Sequence, residues 1–241
     1  ENHDASEGDW FARKDAGIEA HHEWLPIRII ANDTHRIFST IPYGNLLDLI
    51  MLDTRLEGRG PKVAGTSFGG YPVADVTDPE LNDPTRKIII ETQFDWLLNR
   101  MDTTPAQWKM IGQQVMIGPL RIKPFPIGPT YVVNLDQWDG FPAQRQRFFD
   151  SLFTKNIDNL VVLTGDIHTS WANDLPYVSG VTYDNSNPNA VLGSAAVEYV
   201  GTSVTSPGLP SSLSAIVTPT TAKNNKPNIR YVELNKKGYV I

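Results

Sequence analysis

The chain has 241 residues, enough for one large domain or two small ones, and its 40% hydrophobic and 20% charged residues are ordinary globular composition. With 27 acidic against 21 basic side chains the net charge is −6. That argues against a nucleic-acid surface, which needs clustered Lys and Arg to neutralise phosphates. Cysteine is absent, which excludes disulfides and thiolate nucleophiles or ligands, and no apolar run is long enough to span a membrane.

In chain order, residues 9 to 25 have a helical pattern. Asp9 can serve as N-cap, Phe11, Ile18, His21 and Leu25 fall on one face, and Pro26 ends the helix. Two strand-like runs follow, Arg36 to Ile41 and Leu46 to Leu52, split by the turn Pro42-Tyr43-Gly44-Asn45. The second run is nearly all apolar, as in a strand covered on both faces. Residues 56 to 86 are rich in Gly, Pro, Asp and Thr and read as a long surface loop. A second helix carries the stripe Ile90, Phe94, Leu97, Leu98 and Met101.

Trp108 to Met116 then reads as a strand and Gly118 to Pro129 as a Pro-rich loop. A third helix starts near Pro142 and is expected to bury Phe148, Phe149, Leu152 and Phe153. Leu160 to Leu163 is a short buried strand that leads directly into Gly165-Asp166-Ile167-His168. Beyond it, short strand-like runs at Val197 to Val200 and Ile229 to Leu234 alternate with Ser/Thr/Pro/Asn-rich loops. Strands and helices are mixed throughout, so the fold class is α/β, with sheet layers and helices outside them.

The turn after the strand at 160–163 is the strongest local signal. Functional groups gather in loops at the C-terminal ends of covered strands. Asp166 and His168 offer a carboxylate oxygen and an imidazole nitrogen, ligands suited to Fe, Zn or Mn, while the carboxylate also suits Ca or Mg. Gly165 is expected to let the backbone turn so that both side chains face one point. A capping role for Asp166 beside an exposed His168 is the alternative. His21 and His22 lack the i,i+4 pairing of a zincin helix, and His3 and His35 have no evident partners.

Two further clusters stand out. Asp53-Thr54-Arg55 puts an acid and an arginine just past an apolar strand. Arg55 there can clamp a phosphate in bidentate fashion, or pair with Asp53 structurally. Asn134, Asp136 and Asp139 precede the third helix as oxygen ligands or caps, and Trp138 among them is a candidate pocket wall. There is no Gly-x-Ser-x-Gly elbow, no Walker loop and no Gly-x-Gly-x-x-Gly after a strand.

These pieces align, in order, with one family. Glu7-Gly8-Asp9-Trp10, Arg13 and Glu23-Trp24-Leu25-Pro26-Ile27-Arg28 resemble the helix that follows the Asp-Asp-His-Glu motif of PhoD-like phosphatases. Met51-Leu52-Asp53-Thr54-Arg55, Gln93-Phe94-Asp95-Trp96-Leu97, Trp108-Lys109-Met110-Ile111-Gly112 and Trp138-Asp139-Gly140-Phe141 are similar to further motifs of that family. So are Gly165-Asp166-Ile167-His168-Thr169-Ser170-Trp171, Glu198, Thr202-Ser203 and Gly238-Tyr239-Val240. His21 and Gln113 depart from the pattern, which has tyrosine and asparagine there.

The resemblance implies a calcineurin-like metallophosphoesterase fold, an α+β two-sheet sandwich flanked by helices, hydrolysing phosphate mono- or diesters. It implies Asp166 and His168 as metal ligands, with iron and calcium as cofactors. In such a site Arg55 is the candidate catalytic residue that orients the phosphate, and Trp138 and Trp171 are candidate pocket residues. The family's other ligands, its Asp-Asp-His-Glu segment among them, are expected upstream of Glu1. Residues 1–241 are therefore expected to form the C-terminal portion of a single domain whose N-terminal half is the partner, cleaved or missing. A periplasmic or extracellular home is expected on the same ground. The competing expectations are a non-catalytic fragment, or a phospholipase- or phosphotriesterase-like esterase on the same fold.

Overall fold

The computed structural model describes residues 5–68, 71–124, 127–177, 193–225 and 228–240. Its centre is a seven-stranded sheet in the order β1-β2-β5-β8-β10-β9-β11. These strands are Ser39–Tyr43, Leu47–Met51, Trp108–Gly112, Leu160–Thr164, Ser194–Val200, Ser170–Pro176 and Ile229–Glu233. β2, β5, β8 and β10 run parallel, whereas β1, β9 and β11 pair antiparallel at the margins. The four parallel strands therefore end on one rim, which receives residues 52–55, 113–118, 165–168 and 201–203. A second, four-stranded sheet has the order β3-β4-β7-β6. Its strands are Thr66–Phe68, Tyr71–Asp75, Tyr131–Val132 and Arg121–Ile122. The fold is thus mixed α/β with two sheets and flanking helices.

Alternation explains the central strand. In β8, Leu160, Val162 and Thr164 are buried while Val161 and Leu163 are half-buried, the period-2 pattern of a covered sheet. Two helices cover one face, α2 (Glu91–Thr103) and α3 (Pro142–Thr154). Phe94, Leu97 and Met101 of α2 join Phe148, Phe149 and Leu152 of α3 over Ile50, Ile111 and Val162. Spacings of three and four residues put each triplet on one helix face. Pro142 opens α3 at a position where a missing N–H costs nothing. A second core packs Met116, Leu120, Trp171, Val200, Ile229 and Leu234.

Several elements differ from the sequence expectation. α1 (Trp10–Trp24) forms with Asp9 accepting from the Ala12 amide at 2.8 Å, as expected of an N-cap. Its apolar stripe is not buried: of its residues only Ile18 is, and Phe11 is 68% exposed. Phe153 likewise lies outward on α3. The expected loop at 56–86 contains β3 and β4, and the Pro-rich loop contains β6. β9 and α4 (Ser211–Asn224) arise where only loops were expected. α4 carries Pro219 inside it, a residue that removes one helical hydrogen bond. Packing wins over local preference here: Asn225, next after α4, accepts from the Arg121 amide at 2.7 Å and donates to its carbonyl at 2.9 Å, pinning β6.

Gly140 marks a close approach beside the rim. A Cβ there would fall 2.0 Å from the Leu135 carbonyl oxygen, a clash with backbone that cannot swing aside. Gly140→Ala is expected to cost about 1–3 kcal/mol, the range for forced overpacking, seen as a lower urea midpoint. An unchanged midpoint would show that the 135–140 loop yields.

Candidate functional site

β8 ends at Thr164, and the next four residues form a tight turn in which the Ile167 amide donates to the Gly165 carbonyl at 2.9 Å. The turn does not work as the glycine suggested. Gly165 is outside the left-handed region, and a Cβ on it would meet nothing within 4 Å. The left-handed residues are Asp166 (φ 70°) and His168 (φ 61°). Such conformations cost non-glycine residues about 1–3 kcal/mol and collect at functional sites. Neighbouring segments hold the strained pair. Thr202 Oγ1 donates to the His168 carbonyl at 3.0 Å, and the Gly201 amide donates to the Thr164 carbonyl at 2.8 Å.

Arg55 reaches this turn from the end of β2. Its Nη2 donates to Asp166 Oδ2 at 3.0 Å and its Nη1 to Asp136 Oδ2 at 2.8 Å. Asp136 is held in turn by Arg59, whose Nη2 lies 2.6 Å from Oδ1. Arg55, Asp136 and Asp166 are thereby brought together from three distant stretches of chain. The Asp53–Arg55 ion pair considered from the sequence does not form. Asp53 instead accepts backbone amides of Arg55, Leu56 and Glu57 at 2.9, 2.8 and 3.0 Å, fixing the loop that carries Arg55. Gln93 binds both the amide and the carbonyl of Asp53 at 2.8 Å. Gln114 takes the Thr54 amide and hydroxyl and donates to the Leu52 carbonyl.

Trp138 and Trp171 are both buried, and Trp171 lines a cleft with Tyr199 and Tyr231. Trp138 is 1% exposed, packs on Phe148 at a centroid distance of 6.0 Å, and donates from Nε1 to Gln113 Oε1 at 2.6 Å. It supports the rim from below. Trp171 is 4% exposed in the second core and donates to Thr169 Oγ1 at 2.6 Å. Asp139 is not a cap for α3. It is buried, accepts the Leu120 amide at 2.7 Å and pairs with Arg121.

The residue that composition and spacing do not single out is Glu198 in the middle of β10. It is fully buried, and both its oxygens are bonded. Oε1 accepts the Ile117 amide at 2.7 Å and Thr164 Oγ1 at 3.0 Å. Oε2 accepts the Gly118 amide at 2.9 Å and Asn173 Nδ2 at 2.9 Å. One carboxylate so joins β8 at its last residue, β9, β10 and the loop leaving β5. Burial pushes the Glu198 carboxyl above the usual range, against the pull of these donors. Beside it, Arg145 is 1% exposed, donates from Nε to the Ile117 carbonyl at 2.8 Å, and burial brings its guanidinium down to about 10. The only sequence signal for Glu198 was its place in the family pattern.

Donor chemistry at the turn fits one edge of a metal centre. Asp166 and His168 are exposed, and among the described residues neither the Asp166 Oδ1 nor the His168 ring has a hydrogen-bond partner. A carboxylate and an imidazole form a mixed oxygen–nitrogen pair suited to transition metals. Two donors do not fill a coordination shell. Among the described residues no three His, Asp or Glu side chains meet as a metal-holding group.

The sequence pattern of the family described as PhoD-like phosphatase matches residues 1–241. The chain belongs to that family. It is 32% identical over 199 residues to alkaline phosphatase D of Bacillus subtilis (strain 168), an alignment covering 81% of this chain and 31% of that protein. A solved structure described as that of PhoD superposes with a TM-score of 0.72 at 29% identity, covering 94% of this chain and 40% of the other. The chain therefore spans about a third of the length of this curated PhoD-like relative. The structural likeness extends over nearly all of this chain. In this PhoD-like chain the 165–168 turn and Arg55 sit together on the rim where the parallel strands end.

Proposed function

We propose that this chain forms part of a phosphoester-hydrolysing site, acting on phosphate mono- or diesters, with the 165–168 turn at its centre. The observation that carries the reading is the meeting of Arg55 with Asp166, beside His168, at the C-terminal rim of parallel strands. Asp166 and His168 would hold one edge of a metal cluster, for which iron and calcium are the expected ions. Bound metal supplies charge to polarise phosphoryl oxygens and to acidify a water. Arg55 is the anion-orienting group: its planar fork suits two phosphoryl oxygens, and Asp136, held by Arg59, fixes its direction.

The remaining ligands, on this reading, come from polypeptide outside the described residues, the N-terminal half of the same domain. The threefold greater length of the relative supports this. The second reading, a unit that binds without hydrolysis, is favoured by the shortage of ligands among the described residues. An exported location, periplasmic or extracellular, belongs to the same proposal; no described helix is long and apolar enough to cross a membrane.

Chelation separates the readings. Exhaustive EDTA treatment of the protein together with its upstream polypeptide is expected to abolish hydrolysis of 4-nitrophenyl phosphate and bis(4-nitrophenyl) phosphate. Adding back iron and calcium is expected to restore it. Full turnover in metal-free protein would remove the metal-dependent reading, and no turnover under any metal would favour the binding unit.

A further inference from the structure

Arg55 also lines a cleft of about 350 Å³ between the start of α1 and the 55–60 loop. That is the small end of ligand-pocket volumes, large enough for one ring and its substituents. Trp10 and Lys14 stand one turn apart on α1, a spacing that sets two side chains on one helix face, with Phe11 beside them. Arg59 lines the opposite wall. Among the described residues no carboxylate lines the cleft. Arg55 and Arg59 are balanced by Asp136 and Asp166, whereas Lys14 makes no ion pair among the described residues. Lys14 therefore sets a positive charge in the described lining of the cleft, beside two aromatic side chains.

Its loop wall is fixed in place. Asp53 ties the amides at 55–57, and the Gly60 amide donates to the Lys87 carbonyl at 2.7 Å. Gly58 has a left-handed φ of 67°, and a Cβ there would lie 1.5 Å from Ile90 Cγ2, so the loop is seated on the start of α2. A preformed wall lowers the ordering cost of binding. Phe11, at 68% exposure, leaves a large apolar face open at this position.

We infer that this cleft receives the alcohol portion of the ester and selects phosphoesters whose alcohol bears a flat aromatic ring, preferably with a negative charge on it. The inference rests on the phosphoester reading, since Arg55 would hold the phosphoryl group at the cleft's inner end. Stacking on Trp10 and Phe11 recognises the ring, because an aromatic pair gains attraction beyond the area it buries. Lys14 recognises a carboxylate or phosphate carried by the ring.

The test is equilibrium binding of three probes to the metal-loaded protein with its upstream polypeptide: methylphosphonate, phenylphosphonate and 4-carboxyphenylphosphonate. Wild type is expected to bind phenylphosphonate about tenfold more tightly than methylphosphonate, the size of a good ring contact. Phe11→Ala is expected to remove most of that preference and leave methylphosphonate affinity unchanged. Lys14→Ala is expected to weaken only the carboxylated probe, by roughly three- to tenfold. Both positions are on the surface of α1, so the variants keep the fold, and Lys14→Arg is expected to restore binding. Equal binding of the methyl and phenyl probes, or preferences unmoved by both variants, overturns the cleft assignment alone. Failure of all three probes to bind overturns the phosphoester reading, and the cleft assignment with it.

Discussion

Glu198→Ala is expected to lower the stability of the chain by about 3 kcal/mol or more, because it strips partners from four buried donors at once. Unpaired buried donors lose their bonds without regaining water. The expected signature is a large drop in the urea midpoint at constant slope. Glu198→Gln should be milder, since its carbonyl still accepts, but its amide faces donors and two bonds are lost. A loss under about 1 kcal/mol for the alanine variant would mean that water replaces the carboxylate.

The pH dependence of the same residue has a definite sign. Burial raises the folded carboxyl above its ordinary value of 4.5, so the folded state binds more protons than the unfolded in the interval between the two. The stability contributed by this group is then full below its unfolded pKa and is lost as pH rises through the raised folded one. Wild type is expected to lose stability across that interval relative to Glu198→Gln, which does not titrate. Parallel stability curves for the two proteins would contradict this.

His168→Ala and Asp166→Ala carry the second large effect. In the metal-loaded protein assembled with the proposed upstream polypeptide, each is expected to lower kcat/KM for a phosphoester by about 10³-fold or more, some 4 kcal/mol of transition-state stabilisation, with a matching loss of bound metal. Arg55→Ala should behave differently. Metal content stays near normal while kcat/KM falls by about 10²-fold, and Arg55→Lys recovers only part, since an ammonium cannot bridge two oxygens as a guanidinium does. Removing Arg55 also frees Asp166 Oδ2, so tighter metal binding is a second expected result. Unchanged turnover of His168→Ala with normal metal content would exclude the turn from the site.

Much of this arrangement was legible in the sequence because its signals are local. The α2 stripe, the Pro142 start of α3 and the apolar β8 running into Gly165 each follow from periodicity or from one residue's geometry. What escaped is set by distant partners. β6 has two residues and exists because Asn225 and β7 hold it. α4 tolerates Pro219 because it packs against β11. The burial of Trp138 is set by Phe148 of α3 and by Gln113, neither of which is near it in sequence. The sharp turn was attributed to Gly165, whereas Asp166 and His168 carry its left-handed backbone, held by Thr202 and by packing near residue 208. The partner that Arg55 selects lies more than a hundred residues away and has no local signature.

The order of the central sheet also bears on how the protein reaches this state. Val161 of β8 registers with Met110 on one side and Val197 on the other, both parallel and both far away in sequence. Such pairings close large loops before any contact rewards them, which slows folding relative to local topologies. Glu198 cannot meet Thr164 until β10 has docked beside β8. The rim is therefore expected to be among the last parts of the molecule to acquire its shape during synthesis, after the helices and the β1–β2 hairpin have formed.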